Sequence, residues 1–411
     1  MRRAVAVLTL LAMVGACAPG RDSIVIGAVY PTGGGQGPGG VEEYRGVLLA
    51  AELATRQGGV DGRPLQIRLA PADSAEAAPG AVAGLVDGGV DLLVGSYGST
   101  ISRPAAAEAA SRGAFFWETG AVGEMDRGSG AGELVFRFAP TGSSLGRAAV
   151  DFVHDRLLPR LTHEPSPRYA VVYVNDEYGR AVGRGALDRI RGLGLPMAGA
   201  FPYDPRTADQ TRLARRIERA GTDVLVVVAY LEDGVAMRRA LVREEVPLVA
   251  SIGTSSSYCH PEFGAILGPD AVGLFASDKP DAGSVNVDEL APAAADVIRW
   301  GRARYHSRYG VPMSSAALSG FAAGWALFHH VLPEAEGLSP EEVAAAARSV
   351  RLPMGSLPNA GGLELAPAGH PDAGANLRAS HVIWEWVAVG RREIVWPPAL
   401  ATDDLVPIAL R

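Results

Sequence analysis

Ser23-Ile24-Val25-Ile26-Gly27-Ala28-Val29-Tyr30-Pro31-Thr32-Gly33 is the stretch that decides the fold. Its apolar run is short, rich in β-branched residues, and stops at a loop crowded with glycine and proline, the pattern of a strand buried on both faces. Residues 41–56 follow with apolar positions at helical spacing. Leu65-Gln66-Ile67-Arg68-Leu69 then alternates as a second strand. Working outward, the spacing predicts a helix over 75–87, a strand over 90–94, a helix over 101–111 and a strand over 113–117. Steady alternation of this kind predicts a parallel sheet covered by helices.

The pattern then restarts. Helices are expected over 142–158, 179–193, 207–220 and 233–244, and strands over 169–174, 199–201, 224–228 and 248–250. A helical region follows over 289–309 and 314–331. Ser339-Pro340-Glu341-Glu342 opens a further helix with a capping residue, a proline at the first position and early acids. Residues 381–389 read as a late strand. The fold class is therefore α/β, with two similar Rossmann-like lobes and a cleft between them. In open parallel sheets ligands bind outside the carboxyl ends of the strands, so the loops after the strands are where function is expected.

The chain has 411 residues, 48% of them hydrophobic, which is enough for two cores. Its formal charge of −7 gives no electrostatic case for nucleic acid. Met1-Arg2-Arg3, an apolar run over 4–14, and Val14-Gly15-Ala16-Cys17 form the basic, apolar and small-residue order of a secretory signal. That apolar run is far shorter than the roughly 20 residues a membrane-spanning helix needs. The cysteine at its end resembles the lipobox of bacterial lipoproteins, which implies a lipid on Cys17, residues 18–23 as a tether, and work outside the cytoplasm. Cys259 is then the only cysteine left, so no internal disulfide forms; beside His260 it reads as a small buried residue.

Catalytic patterns are weak. Gly35-Gln36-Gly37-Pro38-Gly39-Gly40, followed by Asp73, outlines a dinucleotide-binding loop. Pro38, however, lacks an N–H that a pyrophosphate would use. There is no H-E-x-x-H. His154, His163, His260, His306, His370 and His381 are scattered without metal-ligand spacing, and His329-His330 lies in an apolar helical stretch. No enzyme activity, metal or cofactor is expected.

Five segments in order resemble the type I periplasmic solute-binding proteins of the leucine/isoleucine/valine-binding kind, the receptors of ABC importers. They are residues 24–33, Gly58-Gly59-Val60-Asp61-Gly62-Arg63-Pro64-Leu65, Val94-Gly95-Ser96-Tyr97-Gly98-Ser99-Thr100, Asn175-Asp176-Glu177-Tyr178-Gly179, and Gly273-Leu274-Phe275 with Lys279-Pro280. The resemblance implies two lobes joined by a multi-crossing hinge, one from 24–139 plus 277–348 and the other from 140–276 plus 349–411. Crossings are expected near 139–141, 275–277 and 348–352. It implies a monomer that closes on a small polar solute, such as a branched-chain or other amino acid or an amide, and presents it to ABC permease subunits. A ligand sensor or an adhesion lipoprotein on the same fold is the alternative.

The resemblance also places the site. Ser99 and Thr100 would meet a ligand carboxylate, where the free N–H groups of a helix start favour an anion. Thr119, Gly120 and Ala121 would hold the head group. Tyr178 and Tyr230 would close over it, with Tyr30 in the same role from the first loop and Thr254 from the second lobe. Amino-acid binders of this kind carry an acid in the loop after residues 248–251, but Ile252-Gly253-Thr254-Ser255-Ser256-Ser257-Tyr258 offers only hydroxyls. A buried ammonium without a counter-charge is costly. Glu118 is therefore expected to face the cleft and pair with a ligand nitrogen, with Glu232 and Asp278 as the other candidates; otherwise the ligand is not an ordinary α-amino acid.

Overall fold

The computed structural model describes residues 23–125, 131–161, 167–254, 256–370 and 372–410. The expected signal segment, Cys17, most of the tether, His163 and Ser255 lie outside them. Lobe 1 opens with β1 (Ile24–Tyr30), α1 (Gly37–Arg56), β2 (Leu65–Pro71), α2 (Ala78–Asp87), β3 (Leu92–Gly95), α3 (Ser99–Ser111), β4 (Phe115–Glu118) and β5 (Val135–Arg137). The strands form a parallel sheet in the order β2-β1-β3-β4-β5. Side chains alternate across it. Ile26, Ala28, Tyr30, Phe115 and Trp117 pack into one core, while Val29, Leu93 and Phe116 pack into another with α2 and α3. Burial on both faces explains the continuous apolar runs.

Lobe 2 contains α4 (Gly142–Phe152), α5 (Leu158–Leu161), β6 (Tyr169–Val174), α6 (Glu177–Gly192), β7 (Met197–Tyr203), α7 (Gln210–Arg219), β8 (Val224–Val228), α8 (Leu231–Arg243), β9 (Ala250–Thr254), α9 (Pro261–Leu267) and β10 (Phe275–Asp278). The chain then adds α10 (Pro292–Tyr309), α11 (Ser315–Trp325) and α12 (Pro340–Ser349), before β11 (Val382–Ala388) and β12 (Arg391–Trp396). The second sheet runs β12-β11-β10-β9-β8-β6-β7, parallel except for β11, which is antiparallel to both of its neighbours, β10 and β12. Helix α11 packs along α1, so this late segment completes lobe 1.

Several expectations shift. The strand expected over 248–250 is β9, two residues later, so Thr254 closes the strand instead of sitting in the loop. β10 was expected as a crossover; it pairs with β9 and runs through Asp278, so a lobe boundary at 276/277 would cut a strand. Ala375 bridges Arg137 of β5, which sets that stretch against the lobe 1 sheet. The helices expected over 142–158 and 314–331 each pass into a π-helical turn, Val153–Leu157 and Ala326–Val331. The glycine-rich loop after β1 is internally tied: Asp73 accepts from Thr32 N at 2.7 Å and Gly33 N at 2.8 Å. Asp73 is thus spent on folding that loop.

Both sheets have a switch point, where neighbouring strands send their following chain to opposite sides. In lobe 1 it lies between β1 and β3, and in lobe 2 between β6 and β8. Tyr30 and the 96–100 loop emerge from the first, Tyr178 and Tyr230 from the second.

Candidate functional site between the lobes

The 119–121 loop is held from both faces of the lobe 1 sheet. Glu118 shares the face of Phe116, so its carboxyl lies under α3. Its Oε2 accepts from Ser96 N at 3.0 Å and from the Ser102 hydroxyl, and its Oε1 from Gly120 N at 2.8 Å and Ala121 N at 2.7 Å. The carboxyl is fully buried. This corrects the expectation that Glu118 faces the cleft: its oxygens are engaged by lobe 1's own donors. Burial, with the nearby Glu43 charge, pushes its pKa up to about 8 despite the amides of Ala121 and Gly120.

Thr119 lies on the opposite face, with Trp117. Its hydroxyl meets Tyr30 Oη at 2.6 Å and donates to Glu43 Oε1 at 2.5 Å. Tyr30 is fully buried, tied to Thr119, and packed 5.8 Å from the Tyr44 ring, so it shapes lobe 1 from beneath the loop. Gly120 gives its carbonyl to Lys279 Nζ at 3.0 Å. A Cβ on Gly120 would fall 1.9 Å from Glu43 Oε2, so only glycine leaves room there. Sequence reasoning missed Glu43, yet it sits in the buried stripe Gly40, Glu43, Val47, Ala50, Ala54 of α1. An acid on an apolar helix face was the available signal.

Ser99 and Thr100 begin α3. Ser99 Oγ accepts from Gly123 N at 2.9 Å, and Thr100 Oγ1 accepts from Gln36 Nε2 at 2.9 Å. A hydroxyl that accepts still has its proton to donate. Between them and β3 stands Tyr97, also missed, at φ 79°. A bulky residue in the left-handed region is strained, and such strain clusters at functional loops. Its ring lies against Gly39 and feels Glu43 from lobe 1 and Cys259 and Asp278 from lobe 2.

On lobe 2, the structure brings Tyr178, Tyr230 and Thr254 together. Tyr178 Oη is 2.9 Å from Thr254 Oγ1, and its ring centroid is 5.4 Å from that of Tyr230. Tyr230 donates to Asp176 Oδ2 at 2.7 Å, while Asp176 Oδ1 caps α6 through Gly179 N at 2.8 Å. Asp278 ends β10 and is buried; burial raises its pKa, against the pull of Lys279 and of the Cys259 thiol. Burial pushes the Cys259 thiol up, as suits a packed cysteine. Glu232 is exposed on α8 and takes no part.

Lys279, just past β10, joins the two lobes through its bond to Gly120. At the rim, Arg103 of α3 meets Glu177 of α6 at 2.8 Å, and Arg184 of α6 meets Glu124 at 2.7 Å. These side chains, with Arg180 and Met125, line a small cavity of about 150 Å³. Among the described residues no cluster of His, Cys, Asp and Glu has metal-ligand geometry, and no helix is long and apolar enough to cross a membrane.

A profile of the family described as periplasmic binding protein matches residues 23–376. Leu/Ile/Val-binding protein homolog 8 of Brucella abortus (strain 2308) is 25% identical over 335 residues, 81% of each chain. Leu/Ile/Val-binding protein homolog 7 of the same strain is 24% identical over 412 residues, covering 98% of this chain and 99% of the relative. Among solved structures, a putative branched-chain amino acid ABC transporter from Silicibacter pomeroyi is similar with a TM-score of 0.76 at 16% identity, covering 93% of this chain and 98% of that one. The leucine-binding protein LivK of Thermotoga maritima is similar with a TM-score of 0.72 at 17% identity, covering 90% and 97%. At such identities the structural likeness shows the fold. With a matched profile over most of its length and two switch points facing one seam, this chain belongs to the periplasmic binding protein family.

Proposed function

We propose that this chain is the solute receptor of an ABC importer, exported and held to the extracytoplasmic face of the membrane by a lipid on Cys17. It acts as a monomer, closes its lobes on a small amino-acid-like solute, and offers the closed form to permease subunits. The observation that carries this reading is the closure of the two lobes on one seam, where Lys279 donates to the Gly120 carbonyl and Arg103 of α3 meets Glu177 of α6. On this reading lobe 1 contributes the α3 start at Ser99 and Thr100 and the Thr119–Gly120–Ala121 loop, and lobe 2 contributes the linked Tyr178, Tyr230 and Thr254.

Each part has a physical task. The start of α3 favours the carboxylate, because its first N–H groups lack helical partners. The tyrosine pair supplies apolar area with hydrogen-bonding tips. Contacts from both lobes bias the hinge toward closure. No chemistry on the solute is involved. The names of the Brucella relatives favour branched-chain amino acids as the first solutes to try.

Uptake tests this reading. Cells lacking the gene should take up labelled leucine, isoleucine or valine more slowly, and restoring the gene should restore the rate. Cys17→Ser should lose palmitate labelling and release the protein from the membrane. Unchanged uptake of every amino acid, with the purified protein still binding one of them, would replace the importer role with sensing.

A further inference from the structure

A second cavity, of about 390 Å³, opens beside the hinge. Glu289, three residues ahead of α10, contributes from the lobe 1 side, since α10 packs on α1. Met354 and Gly355 come from the stretch that leaves α12, and Ala291 N at the mouth of α10 donates to Gly355 O at 2.9 Å. His381 stands directly before β11. Trp396 ends β12 at the edge of the lobe 2 sheet, and Leu400 ends the short turn behind it. The walls therefore come from both lobes and from the chain that crosses between them, a place where ligand clefts tend to form. The lining is apolar nearly throughout. The His381 and Trp396 rings lie 5.7 Å apart at 41° and make an aromatic wall. Burial lowers the His381 pKa below its ordinary value, so the imidazole is uncharged at neutral pH. Leu400 is buried, while Met354 is 53% exposed. A thioether on a flexible stem beside an aromatic cavity adapts to what the cavity takes. Among the described residues Glu289 is the only charged group of the lining.

We propose that this cavity is a second binding site, separate from the seam, and that it takes an uncharged aromatic molecule of one or two fused rings, the size of indole. Size sets the upper limit. A dry apolar cavity of about 150 Å³ holds benzene, so about 390 Å³ admits two fused rings. The wall sets the chemistry, because flat rings pack in offset or edge contact on Trp396 and His381. Charge sets the exclusion. The lining holds no cation to receive a carboxylate, and Glu289 repels one, so an acid would be desolvated without a partner. A cation gains little, since Glu289 is exposed and its attraction is screened by water. The seam differs on each count, being lined by the hydroxyls of Ser99, Thr100 and Thr254 that suit a polar solute. An occupant of the hinge cavity touches the lobe 2 edge through Trp396 and the approach to α10 through Glu289, so it spans the hinge.

Titration calorimetry on the purified full chain tests this with indole and indole-3-acetate. Indole should bind one to one with a Kd of about 1 mM or tighter, a range within reach of so small a ligand. Met354→Glu places a second carboxylate on an exposed wall and should weaken indole by about tenfold or more. Ala399→Trp, also at an exposed lining position, should fill the cavity and abolish binding. Tyr178→Ala, in the seam, should leave indole binding unchanged. In Tyr178→Ala, where the seam does not contribute, indole-3-acetate should bind about tenfold more weakly than indole, or worse. Thermal unfolding establishes that each variant is folded; if Ala399→Trp is not, Met354→Glu decides. No binding of indole, wild-type affinity in Met354→Glu, loss of indole in folded Tyr178→Ala, or equal affinity for the acid overturns the inference. Each of these leaves the receptor reading of the seam standing, because that reading uses none of the cavity's residues.

Discussion

Glu118 and Glu43 reach the same loop from opposite faces of one sheet, and the parity of the strand decides which does what. Glu118 follows Phe116 toward α3 and becomes the acceptor for the turn's backbone amides. Thr119 follows Trp117 toward α1 and meets Glu43. Glu118→Ala would strand the N–H groups of Ser96, Gly120 and Ala121, so it should cost about 3 kcal/mol or more. Chemical denaturation measures this; a loss under 1 kcal/mol would mean the loop finds other acceptors. The pH dependence is also set here. Glu43 is pushed up to about 7 and Glu118 and Glu385 up to about 8, chiefly by burial. The folded chain therefore holds protons that the unfolded chain has released, and stability falls as pH rises toward 8. Desolvation lowers His260, His329, His330 and His381, so they reduce stability only below their unfolded value of about 6.5. Between pH 6.5 and 8.5 the melting temperature should fall, and less steeply in Glu43→Gln. A flat or rising curve contradicts this. The sequence exposed Glu118 as unusual but not its orientation, which needs the strand end placed to the residue. Glu43 was legible as an acid in an apolar stripe and was passed over because it lies far in sequence from the loop it serves.

At the scale of elements, long apolar runs declared themselves: β6 and β8 lie where their sequences put them, because parallel strands buried on both faces need little else. β5 and β10 did not, being three and four residues long and ending in Arg137 and Asp278. Their strand character comes from neighbours in the sheet, a tertiary effect. The capping box of Ser339 and Glu342 was readable in advance and is formed in α12. Close helix packing was not. Helices α1 and α11 touch backbone to backbone at two glycines: a Cβ on Gly46 would fall 2.1 Å from Ala317 O, and one on Gly320 would fall 2.0 Å from Glu43 O. Gly320→Ala must push α1 away, so it should cost about 1–3 kcal/mol and, by shifting Glu43 against the Thr119 hydroxyl, also weaken solute binding at the 119–121 loop. Calorimetric unfolding and ligand titration on the same variant check both; lost stability with unaltered binding would show that the 119–121 loop keeps its form without Glu43 in place.

On the scale of the molecule, the lobes meet through unequal contacts. The rim pairs Arg103–Glu177 and Arg184–Glu124 are partly exposed, and exposed pairs contribute about 0–1 kcal/mol. The seam groups are buried, where leaving a charge unpaired costs more. Arg103→Ala should therefore weaken solute binding less than tenfold, well short of the effect of Tyr178→Ala, as read by titration at moderate salt. A larger loss would make the rim the main latch. The two-lobe plan was visible in the sequence as a strand–helix pattern that restarts. The exact crossings were not, since Ala375 reaches Arg137 of β5 across a stretch with no periodic pattern.

Titration calorimetry of the wild-type chain with the standard L-amino acids is the most direct measurement of whether the seam is a solute site. One-to-one binding of at least one of them, abolished or greatly weakened by Tyr178→Ala and Tyr230→Ala in folded protein, is the predicted result. No binding by any of them, or binding untouched by loss of both tyrosines, would contradict it.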